Sequence, residues 1–210
     1  MSNEVKTKEK INLDPKYLIK LTVTLFLTCC VVAGLLGAVN MVTEPNITAI
    51  NKAKTEEAMK AVVADPEGSS FSDPLEITAE MEAAAASAGG SVTEAYAVEA
   101  GGAAAGHALK IVASGSQGSI EMMVGLDAEG VVTGVSVVKN AETAGIGSKV
   151  MSNEPNVKGV PVLDQFQGKS AADGTLAVGT NVDAITGATV STKGITAGVN
   201  AAIAVAGVMG

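Results

Sequence analysis

Residues 108–147, "ALKIVASGSQGSIEMMVGLDAEGVVTGVSVVKNAETAGIG", decide the fold of this chain. Three runs within this stretch, 109–113, 120–126 and 131–138, alternate apolar with polar residues or form β-branched blocks, which is typical of β-strands. The "DAEG" at 127–130 favours a hairpin between the second and third runs. Because helical patterns occur on both sides of these strands, the sequence predicts a mainly antiparallel sheet with flanking helices, the α+β class.

The flanking segments differ in how clearly they indicate structure. We predict a helix over 46–63, a short helix over 79–87, a strand near 91–98 and a last helix over 195–208 whose Ala and Gly faces allow close packing. Residues 72–106 are acidic and rich in Ala and Gly, so part of that region is predicted to be a mobile connector.

The composition limits both the core and the partners. Hydrophobic residues make up 47% of the chain but aromatic residues only 2%, so the core is built from small side chains. The formal charge is −8, and all 14 basic residues are lysines. Nucleic-acid binding normally needs a basic patch that favours arginine, so the composition argues against a nucleic-acid partner.

An uncharged run, "LTVTLFLTCCVVAGLLGAVNMV" at 21–42, predicts one membrane-spanning helix. At about 1.5 Å per residue this run covers about 33 Å, enough to cross a hydrocarbon core of roughly 30 Å. It is longer than the apolar region of a cleaved signal peptide, and no cleavage site of small residues closes it. The chain is therefore predicted to be anchored in the cell membrane, in contact with the lipid bilayer.

The lysines predict the orientation of that helix. Lysine-rich flanks stay in the cytoplasm, and residues 1–20 hold five lysines against three acids. We therefore expect a cytoplasmic N-terminus (1–20) followed by the transmembrane helix (21–42). A stalk helix with the Ala/Gly-rich connector (43–105) and a folded domain (106–210) should lie outside the cytoplasm.

The two cysteines, Cys29 and Cys30, both fall inside the membrane run. Adjacent residues on a helix point to different faces, so the pair makes a poor disulfide and by itself a poor metal site. Packing residues are one interpretation. A metal or cluster site completed by another membrane subunit is the other.

The stretch "DAITGATVSTKG", 183–194, precedes the predicted last helix and permits two interpretations. In one, Ser191 or Thr192 is the N-cap of the helix and Gly187 allows a tight turn. In the other, the unpaired N–H groups of a helix N-terminus receive a phosphate. The residues alone leave both open.

The same residues, "DAITGATVS", resemble the signature Asp-x-x-(Ser/Thr)-Gly-Ala-Thr-x-(Ser/Thr) of the FMN-binding domain family. That domain occurs in the G subunit of the Rnf complex and in the C subunit of the sodium-pumping NADH:quinone oxidoreductase. The resemblance implies that Thr189 carries FMN through its phosphate. It also implies that Asp183, Thr186, Gly187 and Ala188 are read by a flavin transferase, which takes FMN from FAD with Mg²⁺. Backbone N–H groups from Thr186 to Ser191 would hold the phosphodiester.

A second segment, "NAETAGIGSKV" at 140–150, resembles the family's Glu-Thr-Pro-Gly-(Leu/Ile)-Gly sequence. The matching residues are Glu142, Thr143, Gly145, Ile146 and Gly147, and Ala144 stands where the family has proline. The resemblance, which covers about 106–208, implies that this loop lines the isoalloxazine and that Thr143 is a hydrogen-bond partner for it. Residues 106–210 would then form a covalent FMN-binding domain without catalytic residues or a metal site.

The length and the single predicted span resemble the Rnf G subunit more than the longer quinone-linked subunit. This resemblance implies an electron relay, not catalytic alone, within a ferredoxin:NAD⁺ oxidoreductase that moves Na⁺ or H⁺. Its partners would be other membrane and peripheral Rnf subunits. A flavin relay serving a quinone or another extracytoplasmic reductase is an alternative, and so is a non-redox anchored scaffold.

Overall fold

The computed structural model describes residues 15–209, and the chain divides between Ile50 and Asn51 into two units. A long helix, α1 (Pro15–Val62), begins in the first unit and ends in the second. The other helices are α2 (Ala79–Ser87), α3 (Gly147–Met151) and α4 (Thr189–Met209), with 3₁₀ turns at Asp164–Phe166 and Ala171–Asp173. The strands are β1 (Ser69–Phe71), β2 (Gly90–Ala100), β3 (Ala103–Ser114), β4 (Ser119–Asp127) and β5 (Val132–Asn140).

Helix α1 is apolar and exposed through its first part. An 18-residue window has a mean hydropathy of 2.2 and none of it is buried, so the helix is long and apolar enough to cross a membrane. Threonine hydroxyls along it donate to backbone carbonyls one turn earlier, which satisfies these polar groups within the helix. The donors are Thr22, Thr24, Thr28 and Thr43.

The structure confirms the N-terminal apolar helix, and the helix predicted over 46–63 is its continuation, ending at Val62. Helix α4 is also long and apolar, but 56% of its apolar window is buried, as expected for a core helix. Most of the predicted cytoplasmic segment, including Lys6, Lys8 and Lys10, lies outside the described residues.

The five strands form one antiparallel sheet in the order β1-β2-β3-β4-β5. The three strands and the hairpin predicted from residues 108–147 are confirmed, and the Asp127 carboxylate closes that hairpin by accepting from the N–H groups of Glu129 and Val131 at 3.0 and 2.8 Å. The short helix predicted over 79–87 is α2, and the strand predicted near 91–98 is β2.

The Ala/Gly-rich region is part of the sheet. Strand β2 pairs with β3 from Gly90 opposite Ala113 to Ala100 opposite Ala103. The prediction of a mobile connector is therefore wrong for residues 99–106, which lie in β2, β3 and the turn between them, because antiparallel pairing supplies backbone hydrogen bonds that the local sequence does not indicate.

The sheet buries both faces against helices. On one face, apolar side chains of β3 and β4 pack against α4 in the main core, among them Leu109, Ile111, Met122 and Val124. Gly194 allows helix α4 to lie close to this face. A Cβ at that position would stand only 2.6 Å from the Ser114 carbonyl oxygen. On the other face, the last turns of α1 pack on the sheet through Ala58, Met59 and Val62.

Two glycines form the seat for the end of α1. Gly125 on β4 and Gly134 on β5 are paired in register, and a Cβ at Gly125 would overlap the Val62 carbonyl oxygen. The Thr133 hydroxyl donates to the same oxygen at 2.5 Å, which satisfies one of the last carbonyls of the helix. The end of α1 is thus fixed on the sheet by close backbone contact and a side-chain cap.

Replacing Gly125 with Ala should destabilise the folded unit by about 1–3 kcal/mol, the usual cost of overpacking, because the contact is with backbone that cannot turn aside. Gly207→Ala is the matched control, since nothing lies within 4 Å of that position on α4 and Ala is the better helix former. Chemical denaturation of both variants measures the difference. Equal stability of the two variants would contradict the close contact between Gly125 and the end of α1.

Candidate functional site

The hydroxyl groups in and before the first turn of α4 are of two kinds: some are exposed, and others are buried and hydrogen-bonded. The helix begins at Thr189, whose side chain is exposed, as is that of Thr186 in the preceding turn. Ser191 and Thr192 are buried inside the first turn. The N-cap interpretation is therefore wrong for both, because the Thr192 hydroxyl donates back to the Ala188 carbonyl oxygen at 3.0 Å and Ser191 bonds to another loop.

The turn before α4 is anchored on both sides of its exposed tip. Ile185 and Ala188 are buried, and the Ala188 N–H donates to the Ile185 carbonyl at 2.9 Å. Gly187 between them has a φ of +85°, in the left-handed region that glycine adopts without strain. The N–H groups of residues 189–191 open the helix and have no acceptor one turn earlier. The arrangement places the exposed Thr189 at a helix N-terminus whose opening amides are not used by the helix itself.

The Glu142 carboxylate joins three segments at this turn. One oxygen, Oε2, accepts a short hydrogen bond from the Ser191 hydroxyl on α4. The other, Oε1, accepts from the N–H groups of Ser116 and Gln117 in the β3–β4 turn, at 2.7 and 3.3 Å. The two segments that resemble family motifs are thus in direct contact, and the contact runs through Glu142.

Two glycines make room for that carboxylate. A Cβ at Gly115, in the β3–β4 turn, would overlap Oε1 of Glu142. A Cβ at Gly147, at the start of α3, would overlap Oε2 and stand 2.7 Å from the Ser191 hydroxyl oxygen. Larger residues at either position would displace the carboxylate, so Gly147 has a steric role here.

The loop from Thr143 to Ser148 is closed by its own hydrogen bonds. The Thr143 carbonyl accepts from the N–H groups of Ile146 and Ser148 at 3.2 and 3.3 Å, and the Ser148 hydroxyl accepts from the Gly145 N–H at 2.8 Å. Gly145 has a φ of +79°. The loop therefore holds its turn with Ala144 in place of proline. The Thr143 side chain is exposed, and Ile146 is 52% exposed.

Asp183 is held through its backbone and paired through its side chain. Gln165 binds its main chain at both polar groups: the Asp183 N–H donates to Gln165 Oε1 at 2.8 Å, and Gln165 Nε2 donates to the Asp183 carbonyl at 3.0 Å. The Asp183 carboxylate lies 2.8 Å from Lys158 Nζ, in a largely exposed ion pair. Such surface pairs contribute little to stability, so the backbone hydrogen bonds to Gln165 hold Asp183 more firmly than this ion pair does.

Sequence reasoning missed Ser116, Gln117, Lys158 and Gln165. The first two act through backbone N–H groups, which any residue type supplies, so the sequence carries no signal for them. Gln165 lies in "DQFQGK", 164–169, and nothing in that sequence indicates that its amide binds Asp183.

Replacing Gln165 with Glu tests the Gln165 clamp, by which we mean the two hydrogen bonds between the Gln165 amide and the Asp183 main chain. The new carboxylate would place an acceptor against the Asp183 and Val162 carbonyl oxygens that Nε2 now donates to, which should cost about 1–3 kcal/mol. Gln167→Glu makes the same chemical change at an exposed neighbour and should leave stability unchanged. Thermal unfolding compares the two. A Gln165→Glu chain as stable as the Gln167→Glu chain would contradict the clamp.

The cysteines and the acidic residues bear on whether the chain could hold a metal ion. Within residues 15–209, no group of three or more His, Cys, Asp or Glu side chains could hold a metal ion. Cys29 and Cys30 are exposed on α1. Packing residues and a site shared with another membrane subunit both stay interpretations of this pair.

The chain resembles known proteins over nearly its whole length. Residues 115–204 match the FMN-binding domain family, a span that includes β4, β5, α3 and most of α4. The chain is 34% identical to the G subunit of the Na⁺-translocating ferredoxin:NAD⁺ oxidoreductase complex of Acetobacterium woodii, with 96% of this chain and 97% of that protein covered. It is 27% identical to the G subunit of the ion-translocating oxidoreductase complex of Methanosarcina acetivorans, with 90% and 95% covered. The corresponding G subunit of Aliivibrio fischeri is 32% identical over 51% of this chain and 52% of its own length.

Proposed function

This chain belongs to the family of G subunits of ion-translocating ferredoxin:NAD⁺ oxidoreductase complexes, and we propose that it is the membrane-anchored relay subunit that carries FMN covalently on Thr189. The FMN-binding domain supports FMN as its cofactor. FMN, when bound, supplies the redox chemistry, and the chain supplies attachment, orientation and electrostatics. The exposed hydroxyl of Thr189 at the start of α4 is the observation that carries the proposal.

The residues at this turn fit a phosphate ester. Thr189 offers a free oxygen, the opening amides of α4 offer donors, and the positive end of the helix dipole favours negative charge. Ser191 and Thr192 are unsuited as attachment points because both are buried and hydrogen-bonded. This selects Thr189 over its neighbours in the helix, while the exposed Thr186 lies outside the helix start.

The attachment requires a flavin transferase with FAD and Mg²⁺ as co-reactants. The Thr189 oxygen forms a bond to the FMN phosphorus of FAD, the pyrophosphate bond breaks, the hydroxyl proton is lost and AMP leaves. Asp183, Thr186, Gly187 and Ala188 form the frame that the transferase reads. Two features of this frame support that role: its backbone is fixed at Asp183, and its tip at Thr186 and Gly187 is exposed.

Two exposed apolar side chains are available to the isoalloxazine. Val190, next to Thr189 in the chain, is 57% exposed, and Ile146 in the Thr143–Gly147 loop is 52% exposed. Both belong to the segments that Glu142 joins. We assign the ring to the Thr143–Gly147 loop, with the exposed Thr143 side chain as a hydrogen-bond partner for it. Residues 106–210 constitute the proposed flavin-bearing domain.

The partners follow from the family. The relatives are named as subunits of multi-subunit complexes, so other membrane and peripheral Rnf subunits are the partners of this chain. Its membrane helix is the apolar part of α1. In this complex the chain relays electrons without turning over a substrate by itself.

Deleting the gene for this chain in its source organism should remove ferredoxin:NAD⁺ oxidoreductase activity from the membranes. The wild-type gene should restore the activity, and the Thr189→Ala gene should not. Activity assayed on washed membranes, with the other subunits shown to be present, is the measurement. Membranes that keep full activity without the chain would overturn the proposed function.

The flavin-bearing domain is expected outside the cytoplasm. In a Cys29→Ser/Cys30→Ser chain, Ala128→Cys lies in the β4–β5 turn and should react with a membrane-impermeant thiol reagent added to intact cells. Lys8→Cys in the same background should react only after the cells are lysed. The reversed labelling pattern would contradict the proposed orientation.

A further inference from the structure

We propose that Glu142 is a positioning residue for flavin attachment: its carboxylate fixes the first turn of α4, through Ser191, against the loop that lines the flavin. This inference rests on the proposed function, because it assumes that Thr189 is the acceptor. It assigns Glu142 a role different from direct contact with FMN, since both of its oxygens are already bonded to the protein.

The contacts of Glu142 are those of an anchor. Its carboxylate accepts from two backbone amides of the β3–β4 turn and from the Ser191 hydroxyl, and hydrogen bonds to a charged group are roughly twice as strong as neutral ones. Gly115 and Gly147 leave the space that it fills. A carboxylate that accepts from three donors, in the space that Gly115 and Gly147 leave, has one orientation, so α4 and the loop keep one relative position.

The hydrogen bond between Ser191 and Glu142 also orients Thr189. Ser191 is two residues after Thr189, so the two side chains leave the helix on different faces. Ser191 points inward to Glu142 while Thr189 is exposed. Holding Ser191 therefore fixes the rotation of the first turn about the helix axis, and with it the direction in which the Thr189 hydroxyl is presented.

The removal of Glu142 should lower the rate of attachment without weakening recognition. The frame from Asp183 to Ala188 is held by Gln165 and by buried Ile185 and Ala188, and the hydrogen bonds of Glu142 go to other residues. The transferase would still bind the chain, but a rotating first turn would spend less time with its hydroxyl correctly placed.

The experiment measures flavin attachment to the full-length chain in detergent, with purified transferase, FAD and Mg²⁺, and separates kcat from KM for the chain. Glu142→Ala should reduce kcat at least tenfold with KM unchanged. Glu142→Gln keeps an acceptor for the two amides and gains a donor for Ser191, so it should stay within about threefold of wild type. The Glu142→Ala/Ser191→Ala double variant should be no slower than Glu142→Ala alone, because the two residues act as one unit.

Glu121→Ala is the control for a general loss of charge or stability. Glu121 pairs with Lys139 at 3.3 Å and lies between Ile120 and Met122, whose side chains face α4, so it belongs to the opposite face of the sheet. It should keep the wild-type kcat. The anisotropy of the attached flavin is a second readout, and it should fall in Glu142→Ala and not in Glu121→Ala.

Wild-type kcat and anisotropy in Glu142→Ala would overturn the inference. A raised KM that tracks a lowered melting temperature in every variant would also overturn it, since that is the result of a purely structural role. A wild-type chain that acquires no flavin would instead overturn the proposed function, and this inference with it.

Discussion

Replacing Thr189 with Ala is expected to abolish covalent flavin attachment, so that the chain shows no flavin fluorescence on a denaturing gel. The hydroxyl oxygen is the only atom through which this residue can form a phosphate ester, and the neighbouring hydroxyls of Ser191 and Thr192 are buried and engaged. The fold should survive, because Thr189 is exposed and Ala favours the first turn of a helix at least as well as Thr.

Two matched variants make that result specific. Thr189→Ser keeps a hydroxyl at the same position and should retain fluorescence. Thr186→Ala removes the other exposed hydroxyl of the turn, and any flavin it acquires should still be on residue 189. A fluorescent Thr189→Ala band, co-expressed with the same transferase, would show that the attachment point lies elsewhere.

Replacing Phe166 with Ala is expected to lower the free energy of unfolding by about 3–5 kcal/mol, a large share of the stability of an ordinary domain. Phe166 is fully buried and is one of three phenylalanines in a chain whose core consists mostly of small side chains. It also follows Gln165 directly in the 3₁₀ turn, so loss of its packing should loosen the clamp on Asp183.

Phe71→Ala is the control for this change. Phe71 ends the short edge strand β1 and is only partly buried, so the same truncation should cost clearly less. Urea denaturation of the two variants, followed by circular dichroism, compares them. Equal losses would mean that the segment around Phe166 is not an essential part of the core.

The parts of the fold that local patterns encode were predictable. Strands β4 and β5 alternate or carry β-branched blocks, and Asp127 supplies the hairpin signal between them, so periodicity and turn chemistry were sufficient. Strand β2 was assigned only in part, because an Ala/Gly-rich strand gains its stability from pairing with the distant β3. The start of α4 was placed too late because Thr189 and Val190 are weak helix formers that tertiary contacts hold in the helix.

The two motifs of the candidate site were predictable, but the contacts between them were not. The resemblance of the segments around Thr189 and Glu142 to two family motifs implied that both belong to one site, but not which atoms join them. The contact of Ser191 with Glu142 spans 49 positions in the sequence. The amides of Ser116 and Gln117 and the clamp by Gln165 depend on backbone groups, which carry no residue-specific signal.

The most direct test of the central claim is the mass of the tryptic peptide 170–193 from a chain co-expressed with a flavin transferase. This peptide follows Lys169, ends at Lys193 and contains seven hydroxyl residues: Ser170, Thr175, Thr180, Thr186, Thr189, Ser191 and Thr192. We predict a mass increase of one FMN less one water, with fragmentation that places it on Thr189. An unmodified peptide, from cells in which the transferase modifies a control acceptor, would contradict the account, as would FMN on any of the other six hydroxyl residues.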